Sequence, residues 1–289
     1  MKHQIIAKEH MKGGIVTSNN QKKDLVQPNY NEDGDAFVIS FPKSGRTWLS
    51  LLLGKLFALH LKLEITEELN LLLFDKLASI CPEIPLIHFF HEQSPHWKTP
   101  DELSTDKTEY KNKKVIFLVR DIKDILVSLY FEKTKREHMY YSGDRKYEGD
   151  LSSYIRCDVG SLNTIIKYYN IWAENINIPS AFLLVRYEDM QTNIKKELQR
   201  ILEFLEVIKI PDEVLDEAIM YACFDNMRQL EQNNKFNHYK LQPGDKNDPE
   251  SYKTRRGKVG GFVDYLTEAD IDYINDKIQS QLSKLYGYS

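Results

Sequence analysis

The run Ala36–His60, AFVIS-FPKSGRTW-LSLLLGKLFALH, decides the fold. An apolar run rich in β-formers, a turn holding Pro, Ser and Gly, and a Leu-rich run of helical length read as strand, tight loop and buried helix. Pro42 restricts the backbone of the turn. Gly45 permits a backbone angle and a close approach that a side chain would block, and Thr47 is the expected N-cap of a helix opening at Trp48. The amides of Gly45 to Leu49 then point at one spot, where the helix dipole favours an anion. Lys43 adds a mobile ammonium. The stretch reads as a phosphate cradle, with a ligand-free strand-to-helix turn as the plain alternative.

The common ATP and GTP cradle, GxxxxGK[ST], sets its Lys after the last Gly and follows it with a hydroxyl that holds magnesium. Here Lys43 precedes Gly45.

Outward from this stretch, the 289 residues suffice for one large α/β domain. Residues 1–34 are polar and short of apolar periodicity and read as an N-terminal arm; 35–289 read as a single domain. No apolar run approaches the roughly 18 residues of a membrane span, and MKHQIIAKEH is too polar for a secretory signal. A soluble cytoplasmic protein without membrane insertion is expected. A formal charge of −4 makes no case for nucleic-acid binding. Cys81, Cys157 and Cys223 lie far apart, against both a disulfide framework and a thiolate zinc site, and are expected to be buried or incidental.

Along the chain, 64–80 reads as a helix stopped by CPEIP, Leu86–Phe90 as a short buried strand, and Lys113–Val119 as a strand covered on both faces. From Asp121, a residue placed like a cap, Ile122, Ile125, Leu126, Leu129 and Tyr130 form one helical stripe. Arg136–Asp150 reads as a surface loop or lid. Helices are expected at 162–176, 192–206, 212–232 and 268–285, with a strand at Ala181–Tyr187. Strands alternating with helices imply parallel βαβ units: an α/β protein whose central parallel sheet is flanked by helices.

In such sheets ligands bind beyond the carboxyl ends of the strands. Those ends carry Lys43 and its loop, His91, Arg120 and Tyr187. A magnesium-using P-loop enzyme usually has a carboxylate where Arg120 stands, so an Arg there suggests a second anionic group, with Ser128 two helical turns further on. The alternative pairs Arg120 with Asp121 or Asp124 and leaves Ser128 on a plain helix surface. Arg255, Arg256, Gly257, Lys258, Gly260 and Gly261 form the densest basic and glycine-rich patch. Amides and guanidinium forks there suit a phosphate dianion, unless the run is simply a solvated tail.

FPKSGRTW, RDIKDILVSLYF, VRYEDM, the CFDNM segment and RRGKVGG resemble, in order and approximate spacing from about Phe37 to Phe262, the sulfotransferases that use 3′-phosphoadenosine 5′-phosphosulfate (PAPS). The resemblance implies a P-loop-like three-layer sandwich. It implies that Lys43, Ser44, Gly45, Arg46, Thr47 and Trp48 hold the 5′-phosphosulfate, and Arg120, Ser128, Arg255, Arg256 and Gly257 the 3′-phosphate. Trp48 and Phe224 match positions that pack on the adenine, and Tyr187 one that bonds to it. The implied product is 3′,5′-bisphosphoadenosine (PAP), and no metal is required. Three departures stand out: Arg46 where Thr is usual, Ile122 where Pro is usual, and Gly261-Phe262 where an acidic residue and Trp are usual. The family's dimer motif is also missing, which leaves the oligomeric state open.

Sulfuryl transfer needs an in-line nucleophile and a stabilised leaving group. Lys43 suits the leaving phosphate, and a histidine suits the acceptor's proton. Of His88, His91 and His96, His91 follows directly on a strand end and matches the family's catalytic histidine in F-x-H-E, whereas His88 reads as a core residue. Zinc held by the three fits no helical pair. A nucleotide-dependent kinase with a divergent P-loop and a non-catalytic nucleotide-binding module are the rival readings. The acceptor, a small molecule or glycan bearing a hydroxyl or an amine, is not specified by the segments expected to line its pocket.

Overall fold

β1 (Ala36–Ser40) is buried at every residue, as an apolar run covered on both faces must be. The computed structural model describes residues 34–64, 70–136, 146–207 and 210–288. β1 pairs in parallel with β2 (Ile87–Phe90) on one side and β3 (Lys114–Val119) on the other, and β3 pairs in parallel with β4 (Ala181–Arg186). The order β2-β1-β3-β4 makes the chain leave β1 and β3 toward opposite edges. A crevice therefore opens beyond their carboxyl ends, the switch point where open parallel sheets bind ligands.

Alternation along the strands divides the core. Ala36, Val38, Ile116 and Leu118 face a cluster with α1 (Arg46–His60), α7 (Ile194–Phe204) and α8 (Asp212–Tyr221). Phe37, Ile39, Phe117 and Val119 face α3 (Ile122–Lys135), α5 (Leu162–Glu174) and α10 (Glu268–Gln281). The result is the expected three-layer α/β sandwich. Leu49 to Ala58 are all buried, because α1 lies against both the sheet side of this core and α8. Each leucine so covered contributes roughly 1.5–3 kcal/mol.

Several boundaries differ from expectation. Of 64–80, only α2 (Phe74–Ile80) is helical among the described residues, 65–69 lying outside them. The Asn70 side chain accepts from the Leu72 amide at 3.0 Å and donates to the Phe236 carbonyl at 3.2 Å, holding a turn in competition with helix. The stretch 212–232 forms two helices, α8 and α9 (Phe224–Gln232), with Cys223 extended between them. Trp48 Nε1–H donates to the Ala222 carbonyl at 2.9 Å, using the acceptor at the break. Tyr187 opens α6 (Tyr187–Thr192) instead of ending β4. The last helix stops at Gln281, and Lys284–Tyr286 make a separate short turn. The expected arm, apart from Gly34, and 137–145 of the expected loop lie outside the described residues. Arg136 is no surface residue: it is buried at the end of α3 and donates to the Gln242 carbonyl at 2.7 Å. α4 (Leu151–Ile155) follows that loop. The cysteines are free, and none is buried: Cys223 is exposed.

Candidate active site beyond the carboxyl ends of β1 and β3

The cradle helix starts earlier than its residue types suggested. Gly45 is the N-cap of α1, at φ 100°, and no side chain caps it, so Thr47 lies within the first turn. That backbone angle favours glycine, and a Cβ there would meet the Tyr187 ring at 2.7 Å. The Leu49 amide is engaged with the Gly45 carbonyl at 3.1 Å, which narrows the free amides to those before it. Ser44 is fully buried and is not part of the cavity wall.

Lys43 is anchored, not mobile. Its Nζ pairs with Glu132 Oε2 at 2.6 Å, and the same oxygen takes Arg136 Nη1 at 2.6 Å, with Lys253 Nζ 4.0 Å from Oε1. Burial alone would raise the Glu132 pKa, but Arg136, Lys253 and Lys43 outweigh it and hold the carboxyl well below its usual range. Burial lowers Lys43 despite Glu132, and brings Lys253 down to about 7.

A second set of cations gathers where β3 ends. Arg120 lies over the Tyr187 ring at 4.2 Å, donates to the Lys43 and Lys258 carbonyls at 3.3 and 3.2 Å, and pairs with Asp124 at 3.4 Å. The Asp124 partnership is thus real, and it also builds the site. Asp124 accepts from the Gly260 and Phe262 amides at 2.9 and 3.0 Å, pinning the basic loop to the first turn of α3. Arg255 and Arg256 are ordered by Glu250 and the Tyr265 hydroxyl. Asp121 caps α3 as expected, accepting from the Lys123 amide at 2.7 Å.

His91 follows β2. Its Nδ1 lies 2.9 Å from the Ser40 carbonyl, which can only accept, so Nδ1 carries the proton and Nε2 keeps its lone pair. Burial, and then Arg46, hold the imidazole well below its usual pKa; it is a neutral ring able to take a proton. His88 is a core residue, 5% exposed with its ring 5.2 Å from that of Phe37. In the ligand-free protein, an NMR titration compared with His91→Gln should place the His91 midpoint below about 6.5, since a depressed pKa keeps the ring neutral to lower pH. A midpoint above that value would contradict the geometry.

These groups share one cavity of about 320 Å³ lined by Lys43, Gly45 to Trp48, His91, Arg120, Ser128, Tyr187, Phe224 and Arg255 to Gly257. Its aromatic end is built by Trp48, edge-on to Tyr187 at 5.5 Å, and by Phe224, 39% exposed. Gly257, at φ 61°, is in the left-handed region, and a Cβ there would meet the Phe224 ring at 2.3 Å. Among the described residues no group of three or more His, Cys, Asp or Glu side chains is placed to hold a metal ion.

Residues 33–286 match the family model for the sulfotransferase domain. The chain belongs to the sulfotransferase family. It is 28% identical to Cytosolic sulfotransferase 8 of Arabidopsis thaliana over 91% of this chain and 84% of that protein. It is 26% identical to Sulfotransferase 1E1 of Mus musculus over 86% of this chain and 83% of that protein. Among solved structures, mouse sulfotransferase SULT7A1 complexed with PAP is similar in fold, with a TM-score of 0.55 at 17% identity over 86% of this chain and 84% of that one. So is retinol dehydratase in complex with androsterone and PAP, with a TM-score of 0.56 at 15% identity over 85% of this chain and 80% of that one. The enzyme class implied by the sequence resemblance is the one these matches show.

Of the sulfotransferase site residues expected from sequence, all except Ser44 reach the cavity. Residue types alone did not single out Glu132, Lys253 or Glu231. Glu132 stands one turn from both Ser128 and Arg136 on α3, a spacing that carried its signal. Lys253 lay hidden in a polar loop, which a buried carboxylate fixes: Glu231 accepts from the Lys253 and Thr254 amides at 2.5 and 2.8 Å and from Thr254 Oγ1 at 2.5 Å. Glu231→Ala should cost about 2–3 kcal/mol and loosen the loop carrying Lys253 to Gly257. A lower melting temperature with weaker PAP binding by calorimetry is the expected outcome; unchanged PAP binding would refute the clamp.

No helix among the described residues is long and apolar enough to cross a membrane.

Proposed function

We propose that the protein moves a sulfuryl group from PAPS to a hydroxyl or amine of its acceptor by in-line displacement, in a cytoplasmic setting like that of its cytosolic relatives. The observation that carries this reading is the convergence of three features on one cavity: a helix N-terminus with Lys43, a separate cation corner of Arg120, Arg255 and Arg256, and a neutral His91. Two anion sites flanked by an aromatic end suit a nucleotide phosphorylated at both the 3′ and 5′ positions. The PAP named in the two similar structures has that chemistry.

The 5′-phosphosulfate lies against the amides of Gly45 to Trp48 and Lys43, the 3′-phosphate against Arg120, Ser128 and the Arg255 to Gly257 loop. Trp48 and Phe224 cover the adenine, and Tyr187 bonds to it. The acceptor oxygen attacks sulfur as the bond from sulfur to the bridging oxygen breaks, its electron pair passing to the 5′-phosphate of PAP. His91 Nε2 takes the acceptor's proton, and Lys43 offsets the charge growing on the bridging oxygen. Positioning and fixed charge do the remaining work, as in phosphoryl transfer.

Purified protein incubated with ³⁵S-labelled PAPS and a panel of phenols, alcohols, amines and sugars should release labelled acceptor and PAP, with and without chelator. Transfer from ATP that depends on magnesium would favour the kinase. PAP binding without transfer to any acceptor would favour the non-catalytic module.

A further inference from the structure

On the His91 side the cavity holds more positive charge than the donor requires. Lys43, Arg46 and Lys253 line it, and the carboxylate beside the two lysines, Glu132, is already shared among Lys43, Arg136 and Lys253. The Arg46 guanidinium has no ion pair or hydrogen bond among the described residues. Burial brings its pKa down to about 10, with Tyr239 and Tyr168 opposing that shift. With Arg136 set against Glu132, Lys43, Arg46 and Lys253 face the two negative charges of a phosphosulfate, and one cation is left over whenever Lys253 is protonated. A half-buried cation without a counter-charge is unfavourable until an anion reaches it.

The leftover charge lies toward the acceptor. A small recess shares Arg46 and Thr47 with the cavity and is otherwise lined by Ser50, Leu72, Phe89 and Lys240. Phe89 stands on β2 two residues before His91, and Arg46 is, after burial, the largest influence on the His91 ring. At the other end of the cavity Arg120, Arg255 and Arg256 have their own carboxylates, Asp124 and Glu250. A guanidinium fork beside apolar side chains suits a carboxylate carried on a small organic body.

We infer that Arg46, seconded by Lys253, forms an anion subsite for the acceptor, whose substrate class is hydroxylated compounds that also bear a carboxylate or a comparable anionic group. This rests on the sulfuryl-transfer reading above and goes beyond it, because that reading leaves the acceptor's charge unspecified.

The test compares acids with their neutral amides as acceptors, using 4-hydroxyphenylacetic, 4-hydroxycinnamic and gluconic acids with PAPS as donor. In 4-hydroxyphenylacetic acid the methylene insulates the phenol, so acid and amide present nearly the same nucleophile. The wild-type protein should prefer at least one acid over its amide by about tenfold or more in kcat/KM, and Arg46→Gln and Lys253→Met should each lower that acid-to-amide ratio about tenfold. Any effect of these substitutions on the donor cancels in the ratio. A wild-type enzyme that transfers to amides as well as to acids overturns the inference and leaves the sulfuryl-transfer reading standing. A ratio unchanged in both variants also overturns it and moves the two cations to the donor. Transfer to no acceptor, neutral or charged, overturns both.

Discussion

His91→Ala is expected to lower kcat by about 100-fold or more while leaving the Kd for PAP within about threefold. The ring sits beside the crevice with Nδ1 tied to the Ser40 carbonyl at 2.9 Å, so its Nε2 lone pair is oriented before any acceptor arrives. In the proposed binding mode the donor's two anionic ends are gripped elsewhere, so proton acceptance and nucleotide affinity should separate. Burial and the neighbouring Arg46 keep the ring neutral, so the loss should persist across neutral pH. Single-turnover rates alongside calorimetry would check the split. Retention of wild-type turnover would assign the proton to another group.

Lys43→Met should cost about 100- to 1,000-fold in kcat, again by single-turnover measurement with saturating PAPS. Removing one member of a buried pair normally leaves a stranded charge. Here Glu132 keeps Arg136 at 2.6 Å and Lys253 at 4.0 Å, so the fold should survive and the rate report the chemistry. An unchanged rate would mean that Lys43 serves only Glu132. In the proposed mechanism the ion pair at 2.6 Å loosens as Lys43 turns to the bridging oxygen, a competition that the donor's two negative charges win only at close range.

Regular elements were legible in the sequence because period and cap signals are local. The all-buried run at β1 and the Asp121 cap on α3 needed nothing from elsewhere in the chain. The breaks were not legible for the opposite reason. The turn at Asn70 depends on the Phe236 carbonyl, and the extended Cys223 adjoins an Ala222 carbonyl claimed by Trp48. At the site, the strand ends already pointed to Lys43, His91, Arg120 and Tyr187. Nothing local could pair Lys43 with Glu132, 89 residues away in the chain, or reveal that Glu231 aims Lys253 at the same cavity. The burial of Ser44 was not legible, because the motif fixes the backbone of the cradle but not which of its side chains turns inward.

Recognition of a nucleotide by two separated anionic groups underlies each of these roles. Isothermal titration calorimetry of the folded protein with PAP, and then with 5′-AMP, tests it most directly. One PAP should bind per chain, and loss of the 3′-phosphate should weaken binding about 100-fold or more, since it would remove the proposed charge-assisted bonds to Arg120, Arg255 and Arg256. No heat with PAP, or 5′-AMP bound as tightly as PAP, would contradict it.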